Sequence, residues 1–331
     1  MTTVDTRRDI IQALEQKTQG KLLVYVTGDR RGLETVIASD TIDLFTRHLD
    51  MMGNPHKLAL YLYTTGGDTL SAWSIVNLVR QFCDVFEIIV PSKAHSSGTL
   101  MCLAADNIVM TKQATLGPID PSVMTPLNPM VSGAQVKMPV SVEDINGYID
   151  FARSVSGKPQ NLSQALALLA NSVHPLVLGK AFRARSQIRM LARKLMRDRY
   201  RNKERTERIL RFLCSESGSH DYTINRREAS LELGLPIQKP DDEFYALIKN
   251  LYDDIAAELE LGTPYDPNST LGQAPAANYC FHRAVLESAK GGKHTFVSEG
   301  TLTRVQLQTP QGPQIAVQDQ RSFESWRYSD A

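Results

Sequence analysis

Several kinds of motif are missing from this 331-residue sequence, and each absence removes a class of function. The four cysteines lie far apart and never in Cys-x-x-Cys spacing, so we expect reduced thiols rather than a disulfide framework or a zinc site. Histidines and acids lack the His-x-x-x-His spacing of metal hydrolases, and no glycine-rich loop is followed by a phosphate-binding lysine. The sequence therefore predicts no metal, no cofactor and no ATP site of its own.

Long apolar runs and a dominant charge are missing too. No segment reaches the length of a membrane-spanning helix, and Met1–Arg8 has no hydrophobic signal core. The 37 basic and 36 acidic residues leave a net charge of +1, which gives no overall field for nucleic acid or anionic lipid. We therefore expect a soluble, cytoplasmic protein without a membrane or nucleic-acid partner.

Strand and helix patterns alternate between residues 21 and 121. Apolar runs typical of buried strands lie at Lys21–Thr27, Lys57–Tyr63, Val85–Val90 and Asn107–Met110. Helical patterns separate them, at about 36–51, 70–83 and 98–106. Such alternation predicts a largely parallel sheet covered by helices.

The rest of the chain is mainly helical before it ends in short alternating runs. Helical patterns cover 142–155, 161–172 and 178–213, and the segment 180–211 is strongly basic. That segment favours a solvated or subunit-facing helix or a site for an acidic protein partner. Nucleic acid is disfavoured because interleaved aromatic residues are missing. A helix at 241–261, a linker at 262–277 and alternating runs at 295–317 follow, with a turn at Gln311-Gly312. We predict a core domain over 1–237, with a helical insertion at about 142–213, and a C-terminal region over 238–331.

Two glycine-marked turns carry the chemistry. One predicted strand is followed by the turn Thr64-Thr65-Gly66-Gly67-Asp68 and then by a helix. The next strand ends at His95-Ser96-Ser97-Gly98, which also precedes a helix. A strand–turn–helix corner can hold a serine with its hydroxyl exposed, and it leaves backbone N–H groups free to stabilise an oxyanion. Ser96 and Ser97 are both candidate nucleophiles. A helix that opens at Ser97-Gly98 favours Ser96, because it places the Ser97 N–H beside the Ser96 hydroxyl. Each turn also has a plain structural interpretation, as a helix cap or a strand end, but together they predict a serine hydrolase, in particular a peptidase.

These turns resemble those of a known clan of serine peptidases. Thr64–Asp68 resembles the Pro-Gly-Gly turn of the Clp protease proteolytic subunit and of signal peptide peptidase A, and Ser96–Gly98 resembles their Ser-x-Gly nucleophile turn. Thr99–Met110, Ala114–Pro121 and His220–Ala229 are similar to segments of the serine dehydrogenase proteinase family within that clan. The resemblance covers about 21–237.

The resemblance implies a fold, a site and an assembly. The fold is α/β and crotonase-like (ClpP-type), with a repeated β-β-α spiral core, a helical extension and a small C-terminal β appendage. The implied oxyanion hole is formed by the N–H groups of Gly67 and Ser97, and substrate main chain would pair along the segment that contains Gly66 and Asp68. The implied substrate is a peptide or an unfolded protein segment, and the implied assembly is a homo-oligomer formed through 142–213.

The general base departs from the family pattern. In the Clp subunit a histidine follows shortly after the serine, but no histidine occurs here between His95 and His174. One candidate is His220, oriented by Asp120 or Asp221. Another is a desolvated lysine, as in signal peptide peptidase A. The lysine candidates are Lys180, Lys137 and Lys158. His95 is a weaker candidate because adjacent side chains in extended backbone point in opposite directions.

Two other function classes stay open at this stage. Crotonase-like folds also include acyl-CoA hydratases and thioesterases, which use the same paired N–H groups without a nucleophilic serine. A chain that kept the fold and lost the base would instead be an inactive oligomeric scaffold.

Overall fold

The computed structural model describes residues 4–131, 136–156, 160–196, 202–309 and 312–329. The chain divides into two compact units: unit 1 comprises Met1–Leu116 and Asn225–Ala331, and unit 2 comprises Gly117–Ile224. The helices are α1 (Val4–Thr18), α2 (Ile42–Met52), α3 (Thr69–Phe82), α4 (Ser97–Cys102), α5 (Val142–Ser156), α6 (Gln160–Ser172), α7 (Pro175–Met196), α8 (Lys203–Arg211), α9 (Arg226–Leu231), α10 (Asp242–Glu258) and α11 (Pro267–Leu271). The strands are β1 (Lys21–Thr27), β2 (Lys57–Tyr63), β3 (Val85–Val90), β4 (Lys93–Ala94), β5 (Asn107–Met110), β6 (Thr115–Leu116), β7 (Ser122–Val123), β8 (Val140–Ser141), β9 (Ile224–Asn225), β10 (Ile237–Gln238), β11 (Ala276–Ser288), β12 (Gly292–Thr309) and β13 (Gly312–Ser329).

Unit 1 is organised around one eight-stranded sheet with the order β10-β5-β3-β2-β1-β11-β12-β13. The strands from β10 to β1 are parallel, and β1, β11, β12 and β13 pair antiparallel. Because the central strands are buried on both faces, their sequences are nearly continuous apolar runs. The four strands that the sequence predicted are confirmed at the same residues as β1, β2, β3 and β5.

Alternate side chains of β1 pack against different helices. Leu22 and Val24 belong to a buried cluster with Ile11 of α1 and Ile248 of α10. Tyr25, one residue on, contacts the ring of α2 Phe45 at a centroid separation of 5.1 Å. Successive side chains of a strand point to opposite faces of the sheet, so a strand that is covered on both faces contacts different helices with alternate residues.

The C-terminal region differs from the small appendage that the sequence suggested. The strands β11, β12 and β13 are 13, 18 and 18 residues long, and β11 pairs with β1 from Val24↔Glu287 to Thr27↔Ala284. Residues 238–331 therefore lie in unit 1 with the N-terminal strands, not beyond a boundary at 237. The alternating runs predicted at 295–317 overlap β12 and β13, but the sequence did not predict the full extent of these strands. Strand β13 is largely exposed and polar, so it carries little apolar alternation. Gln311 of the predicted turn lies outside the described residues.

Unit 2 contains the antiparallel pair β7–β8 and helices α5 to α8. Its buried cluster joins Val123, Val140 and Val142 to Val177 and Ala181 of α7. The pattern read as one helix over 178–213 is divided between α7, α8 and a π-helical turn at Phe212–Glu216.

Within the described ranges, no single helix is both long enough and apolar enough to meet the criteria for a membrane span. The pair Leu162–Ser172 and Pro175–Met196 meets the length and composition criteria only jointly, and it is bent by 105° at the break.

Candidate active site

The first corner of the site follows β2. Thr64 Oγ1 accepts hydrogen bonds from the Gly66 N–H at 3.0 Å and from the Thr27 hydroxyl at 2.7 Å, so the chain turns immediately after the strand. Gly66 and Gly67 have φ of +120° and +144°, in the region that favours glycine. A Cβ on Gly67 would lie 2.3 Å from the carbonyl oxygen of Ile37. The double glycine is therefore required by both backbone conformation and space.

Ile37 orients the oxyanion donor of this corner. Its N–H donates to the Gly66 carbonyl at 2.8 Å, and its own carbonyl accepts from the Asp68 N–H at 2.8 Å. In a trans peptide the C=O and N–H groups point in opposite directions, so the Gly67 N–H points away from Ile37. Within the described residues that N–H has no partner. It is therefore free to donate a hydrogen bond, and its role in an oxyanion hole stays a prediction.

The two residues predicted to contact substrate are engaged inside the chain. The Asp68 carboxylate accepts from the Ser71 N–H and hydroxyl, both at 2.7 Å, and so caps α3. Gly66 is buried, and both of its backbone polar groups are hydrogen-bonded. The Gly67 carbonyl accepts from the Ser97 hydroxyl. The groups left for the added strand that we expected are the Gly67 N–H and the backbone of the exposed Thr65, which have no partner among the described residues.

The second corner is built around a strained serine. Ser96 has φ of +50° and ψ of −116° at the start of α4, where a non-glycine residue costs about 1–3 kcal/mol. Its hydroxyl makes no capping hydrogen bond, and the side chain is half-buried. The plain interpretation of Ser96 as a stabilising helix cap therefore does not account for it. A strained serine with a free hydroxyl is the geometry of a nucleophile held on a strand-to-helix turn.

Ser97 serves the corner in another way. It is 1% exposed, and its hydroxyl donates to the Gly67 carbonyl at 2.7 Å, so this oxygen is not available as a nucleophile. Because the Ser96 carbonyl accepts from the Leu100 N–H at 3.0 Å, the Ser97 N–H points out of the helix start. No described residue accepts from that N–H.

Backbone pairing brings the two corners together. The Thr64 N–H donates to the Lys93 carbonyl at 3.1 Å, and the His95 N–H donates to the Thr64 carbonyl at 3.0 Å. A Cβ on Gly66 would lie 2.8 Å from Ser96 Cβ and 3.2 Å from Ser96 Oγ. The Ser96 hydroxyl and the N–H groups of Gly67 and Ser97 therefore lie at one end of the sheet. A hydroxyl beside two free N–H donors is the minimum arrangement for acyl transfer.

Unit 2 contains the predicted histidine–carboxylate pair. His220 Nδ1 donates to Asp120 Oδ1 at 2.9 Å, and Asp120 is 4% exposed while the histidine is half-exposed. The hydrogen bond to this carboxylate raises the pKa of His220, although burial acts in the opposite direction. With Nδ1 donating, Nε2 carries the lone pair, and it has no partner in the part of the chain that the structure describes.

Of the two possible orienting acids, only Asp120 pairs with His220. Asp221 is exposed, and its backbone N–H donates to the Ser219 hydroxyl at 3.2 Å. The paired groups line a cleft of about 610 Å³ within unit 2. His220 thus has the surroundings of a general base oriented by a buried carboxylate.

The alternative bases are less suited to proton transfer. Lys180 is exposed, and its ammonium donates to the Met124 carbonyl at 3.4 Å. Lys137 donates to the carbonyl of Pro126, and Lys158 lies outside the described residues. A lysine base needs a desolvated site, whereas the Lys180 side chain is exposed to solvent. His95 is hydrogen-bonded through Nε2 to the Thr115 hydroxyl at 2.9 Å.

Sequence reasoning missed Ile37 and Thr64. Neither side chain has chemistry that marks it: Ile37 acts through its backbone, and Thr64 acts through a hydroxyl at a strand end. A threonine at the end of an apolar strand, two residues before a double glycine, is the signal that was available for Thr64. Across the described residues, no group of three or more His, Cys, Asp or Glu side chains is arranged to hold a metal, and the four cysteines are free.

Comparison with known proteins finds that the N-terminal part of the chain is similar to a family of serine proteinases. The family described as ClpP-like SDH-type serine proteinase matches residues 3–155. This confirms the resemblance to the Clp protease clan that the sequence indicated, and the α/β ClpP-type fold. The match supports a serine peptidase in general.

Curated relatives include two uncharacterized proteins of Methanocaldococcus jannaschii. MJ0137 is 28% identical over 191 residues, which are 57% of this chain and 57% of the relative. MJ1495 is 26% identical over 178 residues, which are 54% of this chain and 51% of the relative. The chain thus spans little more than half the length of these relatives.

Solved structures with detectable similarity are proteases. A 1510-N membrane-bound stomatin-specific protease is 24% identical, with a TM-score of 0.27, over 44% of this chain and 68% of that one. ClpP1 from Listeria monocytogenes is 11% identical, with a TM-score of 0.38, over 70% of this chain and 97% of that one.

Proposed function

We propose that this chain is an ATP-independent serine peptidase that cleaves peptides or unfolded protein segments through an acyl-enzyme on Ser96. The observation that carries the proposal is the strained, uncapped Ser96 beside the free N–H groups of Gly67 and Ser97. A hydratase or a scaffold would have no use for a strained serine hydroxyl, since neither forms a bond to it.

The proposed reaction runs through two covalent steps. Ser96 Oγ attacks the scissile carbonyl carbon and passes its proton to Nε2 of His220, while the Gly67 and Ser97 N–H groups bind the oxyanion. The C–N bond then breaks, and the histidine gives the proton to the leaving amine. Water, activated by the same histidine, hydrolyses the ester and releases the second product.

In this scheme Asp120 keeps His220 in the tautomer that has its proton on Nδ1. Its buried carboxylate accepts from Nδ1 and stabilises the imidazolium that forms when the serine loses its proton. Support for His220 over a lysine comes from this pair and from the exposure of Lys180.

We also propose self-association through the helices of unit 2. Several large apolar side chains there are strongly exposed, namely Phe151, Val155, Leu168, Leu176 and Phe182, at 63–70%. Such a concentration is typical of a surface that another chain covers. The cytoplasmic location and the acidic partner at 180–211 stay predictions, and mass measurement in solution tests the oligomer.

Hydrolysis of fluorogenic casein and short peptides tests the activity. We expect cleavage by the wild type, none by Ser96→Ala and a loss of about 10²- to 10⁴-fold in His220→Ala. Lys180→Ala and Lys137→Ala serve as matched controls that keep their activity if His220 is the base. An acyl-CoA thioesterase activity that survives Ser96→Ala would instead support the hydratase or thioesterase alternative, and a folded chain without either activity would support the scaffold.

A further inference from the structure

A second cleft lies in unit 1 at the other end of the sheet. The parallel strands β1 and β2 begin at Lys21 and Lys57 in the wall of this cleft and run toward the Gly66–Ser96 corner. Because β2 is seven residues long, it separates the two sites by about 20 Å. The cleft has a volume of about 700 Å³, within the usual range for a small-molecule site. We call it the amino-end cleft.

Three parts of the fold converge on the amino-end cleft. One face of α1 contributes Arg8, Gln12 and Gln16, which recur at about one per helical turn, and Gln19 follows directly after the helix. The starts of β1 and β2 form the floor. The turn between β11 and β12 contributes Lys290, and it is adjacent because β11 pairs with β1.

Positive charge in the cleft exceeds what the protein neutralises. Its basic side chains are Arg8, Lys21, Lys57 and Lys290, joined by His56, which pairs with the exposed Asp84. Its one carboxylate, Glu15, accepts from Lys21 at 2.9 Å and from the Leu22 N–H at 3.1 Å. Lys57 is paired with Glu87 at 3.1 Å.

Arg8 and Lys290 are the cations left over. Among the residues whose side chains the structure describes, which begin at Arg7, neither has an ion pair or hydrogen bond. Two cations that line the cleft thus have no counter-charge among those side chains.

Neutral donors stand beside these cations. The side-chain amides of Gln12, Gln16 and Gln19 make no hydrogen bonds within the described ranges. An amide can donate to a phosphate oxygen or can pair with the polar edge of a base or a sugar hydroxyl.

The turn that presents Lys290 is fixed by buried hydrogen bonds. The Gly291 N–H donates to the Ser288 hydroxyl at 3.0 Å, and that hydroxyl is hydrogen-bonded to His48 Nδ1 at 2.7 Å. Ser288 and His48 are 2% and 0% exposed. Lys290 therefore projects from an anchored turn, which lowers the ordering cost of binding.

We propose that the amino-end cleft binds a small oligophosphate ligand of nucleoside di- or triphosphate size. Its phosphate oxygens contact Arg8 and Lys290, and the glutamine amides of α1 contact the remainder of the molecule. A guanidinium and an ammonium from two different parts of the fold in one cleft match a chain of phosphates better than a single anion.

Calorimetric titration of the full-length protein with inorganic triphosphate and with ATP tests the proposal. We expect saturable binding of one ligand per chain, at least tenfold weaker in the double variant Arg8→Ala/Lys290→Ala. The matched control, Arg227→Ala/Lys239→Ala, removes two exposed cations of unit 1 outside the cleft and leaves the affinity unchanged. Both cleft cations are exposed, so folding of the double variant is expected and is checked by its thermal transition.

A second variant separates the two ligand sources. If ATP binds more tightly than triphosphate and Gln12→Ala/Gln16→Ala abolishes the difference, the ligand is a nucleotide. Equal affinity for the two supports an inorganic oligophosphate in the same cleft. No saturable binding of either ligand, or an equal loss in the control variant, overturns the proposal.

Discussion

Replacement of Gly66 by alanine should disable the nucleophile without removing any reacting atom. The added Cβ would lie 2.8 Å from Ser96 Cβ and 3.2 Å from Ser96 Oγ, where carbon atoms in contact are ordinarily about 3.5–4.0 Å apart. Relief of this overlap needs a shift of about 1 Å at a serine that is already strained, and a misplacement of that size costs about 10²-fold in rate. The alanine must also adopt φ near +120°, which adds about 1–3 kcal/mol of instability.

Gly53→Ala provides the matched control. Gly53 also has a positive φ, +73°, but a Cβ there would meet nothing within 4 Å. It therefore has the backbone strain without the clash. The assay is the second-order rate constant for labelling by a fluorophosphonate, together with urea unfolding of each variant. If Gly66→Ala labels as fast as Gly53→Ala, the packing of Gly66 against the nucleophile is refuted.

Three further predictions concern the site and the pH dependence of the protein. Ser97→Ala removes the donor to the Gly67 carbonyl and should slow labelling about tenfold while the serine adduct still forms; complete loss would contradict the choice of nucleophile. His220 must be neutral to act as a base, and its pKa is raised above 6.5 mainly by the hydrogen bond to Asp120; hydrolysis should therefore increase with pH through an inflection above 6.5. Asp120→Asn should move that inflection to lower pH and reduce the plateau about 10²- to 10⁴-fold, and a pH profile identical to wild type would exclude the pair. Burial lowers the pKa of His48 from 6.5 to about 4, so stability is complete above pH 6.5 and decreases by up to about 3 kcal/mol as pH falls toward 4. Urea unfolding at pH 7.5 and 5 should show this loss, and His48→Gln should reduce it where His56→Gln does not.

The central strands and both corners could be predicted because their signals are local. Apolar runs such as Lys57–Tyr63 end at glycine or serine pairs, and the structure confirms these strand boundaries without adjustment. A buried parallel strand can be recognised from its own residues, since both of its faces must be apolar.

Other parts of the site depend on contacts between distant segments. The backbone of Ile37 holds the Gly67 peptide, and no side-chain pattern marks that function. His220 and Asp120 are 100 residues apart, so the sequence could name both acids as possible partners but could not choose between them. Strand β11 pairs with β1, β12 with β11 and β13 with β12, so the largely polar β13 depends on strand pairing rather than on its own composition.

Mass-spectrometric location of a fluorophosphonate adduct tests the central claim most directly. The proposed peptidase predicts one adduct per chain, on Ser96, with none on the buried Ser97 and none after Ser96→Ala. A folded protein that reacts at another residue, or that does not react at all, would contradict the assignment of Ser96 as the nucleophile.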